Sequence, residues 1–185
     1  MGEPQGEVLD LRHVFGLKAV VTTPAAKTNG SYVEMDVIAE PGSQTMIHFH
    51  PEQEETYQVM EGVLEVFRDG EWHLVSAGNS LAIPSKTVHG FRNPSDVPVR
   101  FINVHRPALQ FQEHLETLTR LSRMGKIRGT KDPRSLIYMS MSAVEHQPDV
   151  AVKPPQWVVR GLAFIGQRLR FRLDEVHPKQ GNERD

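Results

Sequence analysis

Not one of the 185 residues is cysteine. Disulfides, zinc–thiolate centres, iron–sulfur clusters and cysteine nucleophiles are excluded together, and any metal must be held by histidine, carboxylate or water. An excess of one charge is lacking too: 21 Lys and Arg face 23 Asp and Glu, a net of −2. That balance argues against a protein that coats nucleic acid. No stretch approaches the roughly 20 apolar residues of a transmembrane helix. Met1 to Asp10 has neither a basic start nor an apolar run, so it does not read as a secretory leader. Gly2 raises the question of myristoylation, but Gly6 stands where Ser or Thr is required. Internal repeats and low-complexity tracts are missing as well. A soluble, cytoplasmic protein without a nucleic-acid partner is the expectation.

What is present supports a packed core: 38% of residues are apolar and 24% charged. The length fits one domain with an appended part. Charge is uneven, with 8 Lys and Arg against 14 Asp and Glu over residues 1–108, then 13 against 9 over residues 109–185. From Lys18 to His105 the pattern is that of strands. Tyr32 to Ile38 alternates roughly in twos, and Glu61-Gly62 and Asp69-Gly70 are tight-turn pairs between apolar runs. Past Pro107 the period becomes helical, with Phe111, Leu115, Leu118 and Leu121 on one stripe. Asp132-Pro133 reads as an N-cap and first helical residue, starting a helix with Ile137, Met141 and Val144 on one face. Pro154-Pro155 starts a third helix with the stripe Val158, Leu162, Ile165 and Leu169. The divisions expected are an N-terminal arm (1–17), an antiparallel β sandwich or barrel (18–107), a helical extension (108–173) and a disordered tail (174–185).

The chemistry lies in two segments. In the first, His48 and His50 are two apart; on a strand both imidazoles share a face, about 6–7 Å apart along the chain. Glu54 and Glu55 follow. The second segment, Gly78 to Asn93, supplies His89 on a strand entered through a turn. A barrel can bring three neutral imidazoles and one carboxylate to a point. That donor set suits a divalent transition metal and leaves positions open for a small molecule or oxygen.

The two segments resemble the cupin family. Its first motif runs Gly, five residues, His, one, His, three or four, Glu, six, Gly, and Gly42, His48, His50, Glu55 and Gly62 fill every position. The second runs Gly, five, Pro, one, Gly, two, His, three, Asn; Gly78, Pro84, His89 and Asn93 match, and Lys86 replaces the internal Gly. The resemblance covers about residues 30–107 and implies a mainly β, double-stranded β-helix jelly roll carrying a C-terminal α-helical extension. It implies His48, His50, Glu55 and His89 as ligands of one divalent metal, among nickel, manganese, iron, cobalt and zinc. Motif spacing favours Glu55 over Glu54, since neighbouring strand residues face opposite ways.

Parity then places Tyr57 and Val59 with Glu55, Phe91 with His89, and Met46 with His48; Phe101, Asn103 and His105 share a face of the last strand. These, His105 apart, are the expected pocket, and His105 is not expected to be a ligand. His13, His73, His114, His146 and His177 are read as surface residues. The family implies a small-molecule ligand. By analogy with quercetinase-like small cupins, the leading expectation is a metal-dependent dioxygenase of an aromatic or enol substrate, with Glu55 as both ligand and base. The alternatives are a non-enzymatic metal or small-molecule binding module and a metal-assisted isomerase or decarboxylase. For the last helix, with Arg160, Arg168, Arg170 and Arg172, two readings compete: a basic amphipathic helix for membranes, or a stripe packed on the barrel or a second subunit. The packed reading is preferred, so a homodimer without a membrane partner is expected.

Overall fold

In the computed structural model, which describes residues 6–147, 150–151 and 154–174, the period-two segments become two antiparallel sheets facing each other. In chain order the elements are β1 (Glu7–Leu11), α1 (Arg12–Phe15), β2 (Leu17–Thr23), β3 (Val33–Ala39), β4 (His48–Phe49), β5 (Glu54–Glu61), β6 (Val63–Arg68), β7 (Glu71–Ser76) and β8 (Ser80–Ile83). They continue with β9 (His89–Arg92), β10 (Val99–Arg106), α2 (Phe111–Arg123), α3 (Pro133–His146), β11 (Val150–Ala151) and α4 (Gln156–Arg168). One sheet has the order β1-β2-β3-β10-β5-β8 and the other β11-β4-β9-β6-β7. This is a jelly roll with helices at its C-terminal end.

The alternation sets the core. On β10, Val99, Phe101, Asn103 and His105 are buried while the residues between them reach solvent; on β5, Glu55, Tyr57 and Val59 face in. Asp69 and Gly70, at φ +51° and +100°, close the β6–β7 hairpin in the double left-handed conformation that matches strand twist. At the start of β6, Gly62 has φ +82°, and a Cβ there would press on Val99.

Three expectations change. The segment 1–17 is more than an arm, for β1 adds to the sheet in register with β2, Glu7 opposite Val21 and Leu11 opposite Leu17. Leu9 and Leu11 are buried, and α2 packs on β1. His114 is not a surface residue: it lies buried on the α2 stripe with Leu115, Leu118 and Leu121, and its Nδ1 is 2.9 Å from Ser142 Oγ on α3. His13 is exposed, His73 and His146 are half-buried, and His177 lies outside the described residues.

The third change concerns α4. It packs on α3 through Val159, Ala163 and Gly166, whereas Val158 and Leu162 are half-buried and Ile165 and Leu169 are exposed. The contact uses the smallest side chains because they allow the closest helix approach. At Gly166 a Cβ would run into Met141 Sδ and Ile137 Cγ2. The α3 start is as read: Asp132 caps it by accepting from the Ser135 amide at 2.9 Å, and Pro133 follows. Met141 is buried there, with Ile137 and Val144 half-buried. Of the expected tail, residues 175–185 lie outside the described residues. No described helix is long and apolar enough to cross a membrane.

Candidate metal centre

Strand β4 carries His48 and leads into His50; β9 opens with His89, and His48 pairs directly with His89 across the ladder. Glu55 comes from β5, in the opposite sheet. The fold therefore closes the two sheets onto one point. One donor atom from each of His48, His50, Glu55 and His89 lies within 4.8 Å of every other. All four side chains are almost wholly out of solvent. Glu54, the neighbour of Glu55, is exposed.

Main-chain carbonyls orient two of the rings. His48 Nδ1 is 2.7 Å from Met46 O, and His89 Nδ1 is 2.8 Å from Thr87 O. A carbonyl only accepts, so each Nδ1 carries a proton, and each Nε2 faces the centre, where it can offer a lone pair to a metal or, when protonated, a hydrogen to a carboxylate. The Lys86 amide, donating to His50 O at 2.7 Å, ties the second motif to the first. Lys86 sits at φ +66°, so the left-handed turn that glycine would make is formed here by lysine.

Glu55 Oε2 lies 2.7 Å from His89 Nε2 and 3.3 Å from His50 Nε2. Carboxylate and imidazole lone pairs at such distances need a proton or a metal cation between them. The donor set thus fits a cation with nitrogen and oxygen ligands, the borderline-soft divalent transition metals. The other oxygen, Oε1, accepts from Asn103 Nδ2 at 2.8 Å, and His105 Nε2 approaches it at 3.4 Å. Burial alone would push the Glu55 carboxyl up, but His105, His50 and His89 outweigh it and hold it well below the usual range. Burial drives His105 down to about 3, against the pull of Glu55, so this ring is neutral near pH 7. Burial, reinforced by the Glu55 charge, pushes the Tyr57 hydroxyl well up, so it stays a donor.

Two of the four donors, His48 and Glu55, open onto a largely apolar cavity. Met46, Tyr57, Phe91, Phe101 and Asn103 line it beside His48 and Glu55. Val59 does not; it is fully buried core, four residues along β5 from Glu55, or about 13 Å at strand rise. His105 lines the wall without joining the four donors. Its Nε2 bonds Asn103 Oδ1 at 2.9 Å and its ring stacks on Phe111 at 3.6 Å.

Sequence reasoning missed the far wall. Leu11 and Phe15 come from the N-terminal segment, and Phe111, His114 and Leu115 from α2. The signal was present for His114, which falls three residues after Phe111 and four before Leu118, on the apolar stripe. For Phe15 there was none, since nothing local says which strand the first segment joins.

Comparison with known proteins agrees with this architecture. Residues 35–105 match the cupin domain family. Polyketide synthase CurC of Streptomyces cyaneus is 42% identical over 65 residues, covering 35% of this chain and 42% of that protein. Quercetin 2,3-dioxygenase of Bacillus subtilis is 28% identical over 91 residues, 49% of this chain and 26% of that enzyme. The chain thus spans less than half the length of either relative. Among solved structures, an RmlC-like cupin from Shewanella frigidimarina superposes with a TM-score of 0.51 at 23% identity, covering 60% of this chain and 93% of the other.

Proposed function

The chain belongs to the cupin family, and from that premise we propose that it is a metal-dependent oxidoreductase of the dioxygenase type, acting on a small, mostly apolar enol or phenol. One observation carries the reading: two members of the His48–His50–Glu55–His89 donor set, His48 and Glu55, line a cavity otherwise built largely from aliphatic and aromatic side chains. Phe15, Phe91, Phe101 and Phe111 suit a planar substrate, whose ring packs on theirs and whose polar edge meets the donors. Two relatives support the reading by name: one is a polyketide synthase and the other a quercetin 2,3-dioxygenase.

His48, His50, Glu55 and His89 would hold a divalent transition metal, which supplies Lewis acidity to an oxygen ligand. Glu55 is the base. Its carboxylate is ionised, and it takes the proton of the substrate hydroxyl as that oxygen becomes an anion. Asn103 fixes the carboxylate by donating to Oε1, leaving Oε2 toward the imidazoles. His105 holds the Asn103 amide in turn. The apolar wall excludes water, which strengthens these polar contacts.

The test combines metal analysis with oxygen uptake. Protein loaded separately with nickel, manganese, iron, cobalt or zinc is offered flavonols, β-diketones and catechols. Oxygen consumption with at least one pair is expected. His89→Ala should keep its fold and lose metal affinity by more than the roughly 10–100-fold that loss of an outer partner costs, taking oxygen uptake with it. Full metal occupancy in that variant would refute the ligand set. Turnover without oxygen would replace this reading with isomerisation or decarboxylation.

A further inference from the structure

We propose that the outward face of α4 seats this protein on an anionic lipid surface. The helix buries Val159, Ala163 and Gly166 against α3 and turns a second apolar face away from the molecule. Trp157 is 76% exposed, Phe164 56%, Ile165 46% and Leu169 60%. At 100° per residue Trp157 and Phe164 lie on one side, with Ile165 and Leu169 continuing the face. A solvent-facing group of large side chains, one of them tryptophan, marks an interaction site rather than chance exposure.

Charge identifies the occupant. Residues 154–173 hold Arg160, Arg168, Arg170 and Arg172 and no acidic residue. All four arginines are exposed. The Arg168 guanidinium lies over the Phe164 ring at 5.3 Å, so cation and aromatic share one side. An interfacial helix has this form: aromatic and aliphatic side chains enter the headgroup boundary while arginines reach lipid phosphates. The helix is too short to span, and it lies in the surface plane. A second copy fits less well, because an isologous contact sets the same arginine-bearing face against itself. The acidic balance of residues 1–108 works in the same sense, since an anionic surface repels the barrel and orients it outward. The expectation of no membrane partner assumed a stripe buried on the barrel or a partner, and among the described residues Ile165 and Leu169 of that stripe are exposed.

Full-length protein is sedimented with phosphatidylcholine vesicles and with vesicles enriched in phosphatidylglycerol. Binding to the anionic vesicles, weakening as salt rises, is expected. Arg160→Gln and Arg168→Gln should each lower the partition coefficient about fivefold. The double variant Trp157→Ser/Phe164→Ser should abolish binding with melting temperature and bound metal unchanged, since both side chains face solvent. In a Trp72→Phe background, Trp157 emission should shift to the blue on binding. Equal binding to both vesicle types, or native-like binding by the double variant, would overturn the proposal. So would a solution dimer that this double variant dissociates and that ignores vesicles, because the face would then belong to a second copy.

Discussion

Lys86 shows how a single residue can depart from a motif without disturbing the chemistry beside it. Its amide donates to His50 O, and its φ of +66° is the conformation the motif's glycine provides without strain. A lysine there costs about 1–2 kcal/mol, while glycine would lose about 0.5–1 kcal/mol in unfolded-chain entropy. Lys86→Gly should therefore stabilise by roughly 0.5–1 kcal/mol, raising Tm by about 1–4 °C for a domain of this size. Lys86→Ala should give no such rise, because alanine meets the same backbone strain. Thermal melts of both variants decide, and a lower Tm for Lys86→Gly would mean the turn is not strained. Asn93, the last motif residue, has a structural task instead. It is fully buried, its amide donates to Ala39 O and Val97 O at 2.9 and 2.8 Å, and its Oδ1 accepts from Ser95. It thereby fastens the chain just past β9, four residues beyond His89.

At the scale of elements, α4 holds two glycines with opposite surroundings. A Cβ at Gly166 would strike Met141 and Ile137 on α3, whereas one at Gly161 meets nothing within 4 Å. Alanine is the better helix former by about 1 kcal/mol at either place. At Gly161 that gain stands alone, so Gly161→Ala should stabilise by about 1 kcal/mol. At Gly166 an overpacking cost of about 1–3 kcal/mol opposes it, so Gly166→Ala should lose up to about 2 kcal/mol. Urea unfolding of the two single variants reads the contrast directly. Equal stabilisation by both would mean that α4 does not rest on α3 through Gly166. The contrast also explains why hydrophobicity alone misplaced the buried face, since the closest contact is made by the residue with no side chain.

At the scale of the whole molecule, the two sheets meet at a group of buried ionisable residues, and acid should act there. His105 has a folded value of about 3 against the ordinary 6.5, so the unfolded chain takes a proton that the native ring refuses. Its contribution to stability is complete above about pH 6.5 and is lost progressively as pH falls toward 3. Glu55, held below its ordinary 4.5, acts in the same sense at lower pH: its contribution is present above 4.5 and disappears as pH drops through its folded value. The His105 slope is about 1.4 kcal/mol per pH unit. Urea unfolding of metal-free protein should therefore show a loss of about 2 kcal/mol from this residue between pH 6.5 and 5. His105→Phe, which keeps a ring against Phe111 and cannot take a proton, should flatten the profile by that amount. An unchanged pH profile in the variant would show that His105 does not carry the effect.

The order of residues alone settled what depends on local geometry. Period-two alternation placed Tyr57 and Phe101 inward, an Asp-Pro pair began α3, and the resemblance of two segments to the cupin motifs implied His48, His50, Glu55 and His89, which the two sheets bring together. It could do so because side-chain direction on a strand and capping at a helix end are decided within a few residues. Packing in three dimensions settled which surfaces meet. It added β1 to the sheet, put Phe15 and Phe111 into the cavity wall, buried His114, left Val59 in the core, and turned α4 so that glycine and alanine touch α3 while Trp157 and Phe164 face outward. An apolar side chain records that burial is favourable, not which of several faces will be covered. That choice rests on close approach between segments far apart in the chain.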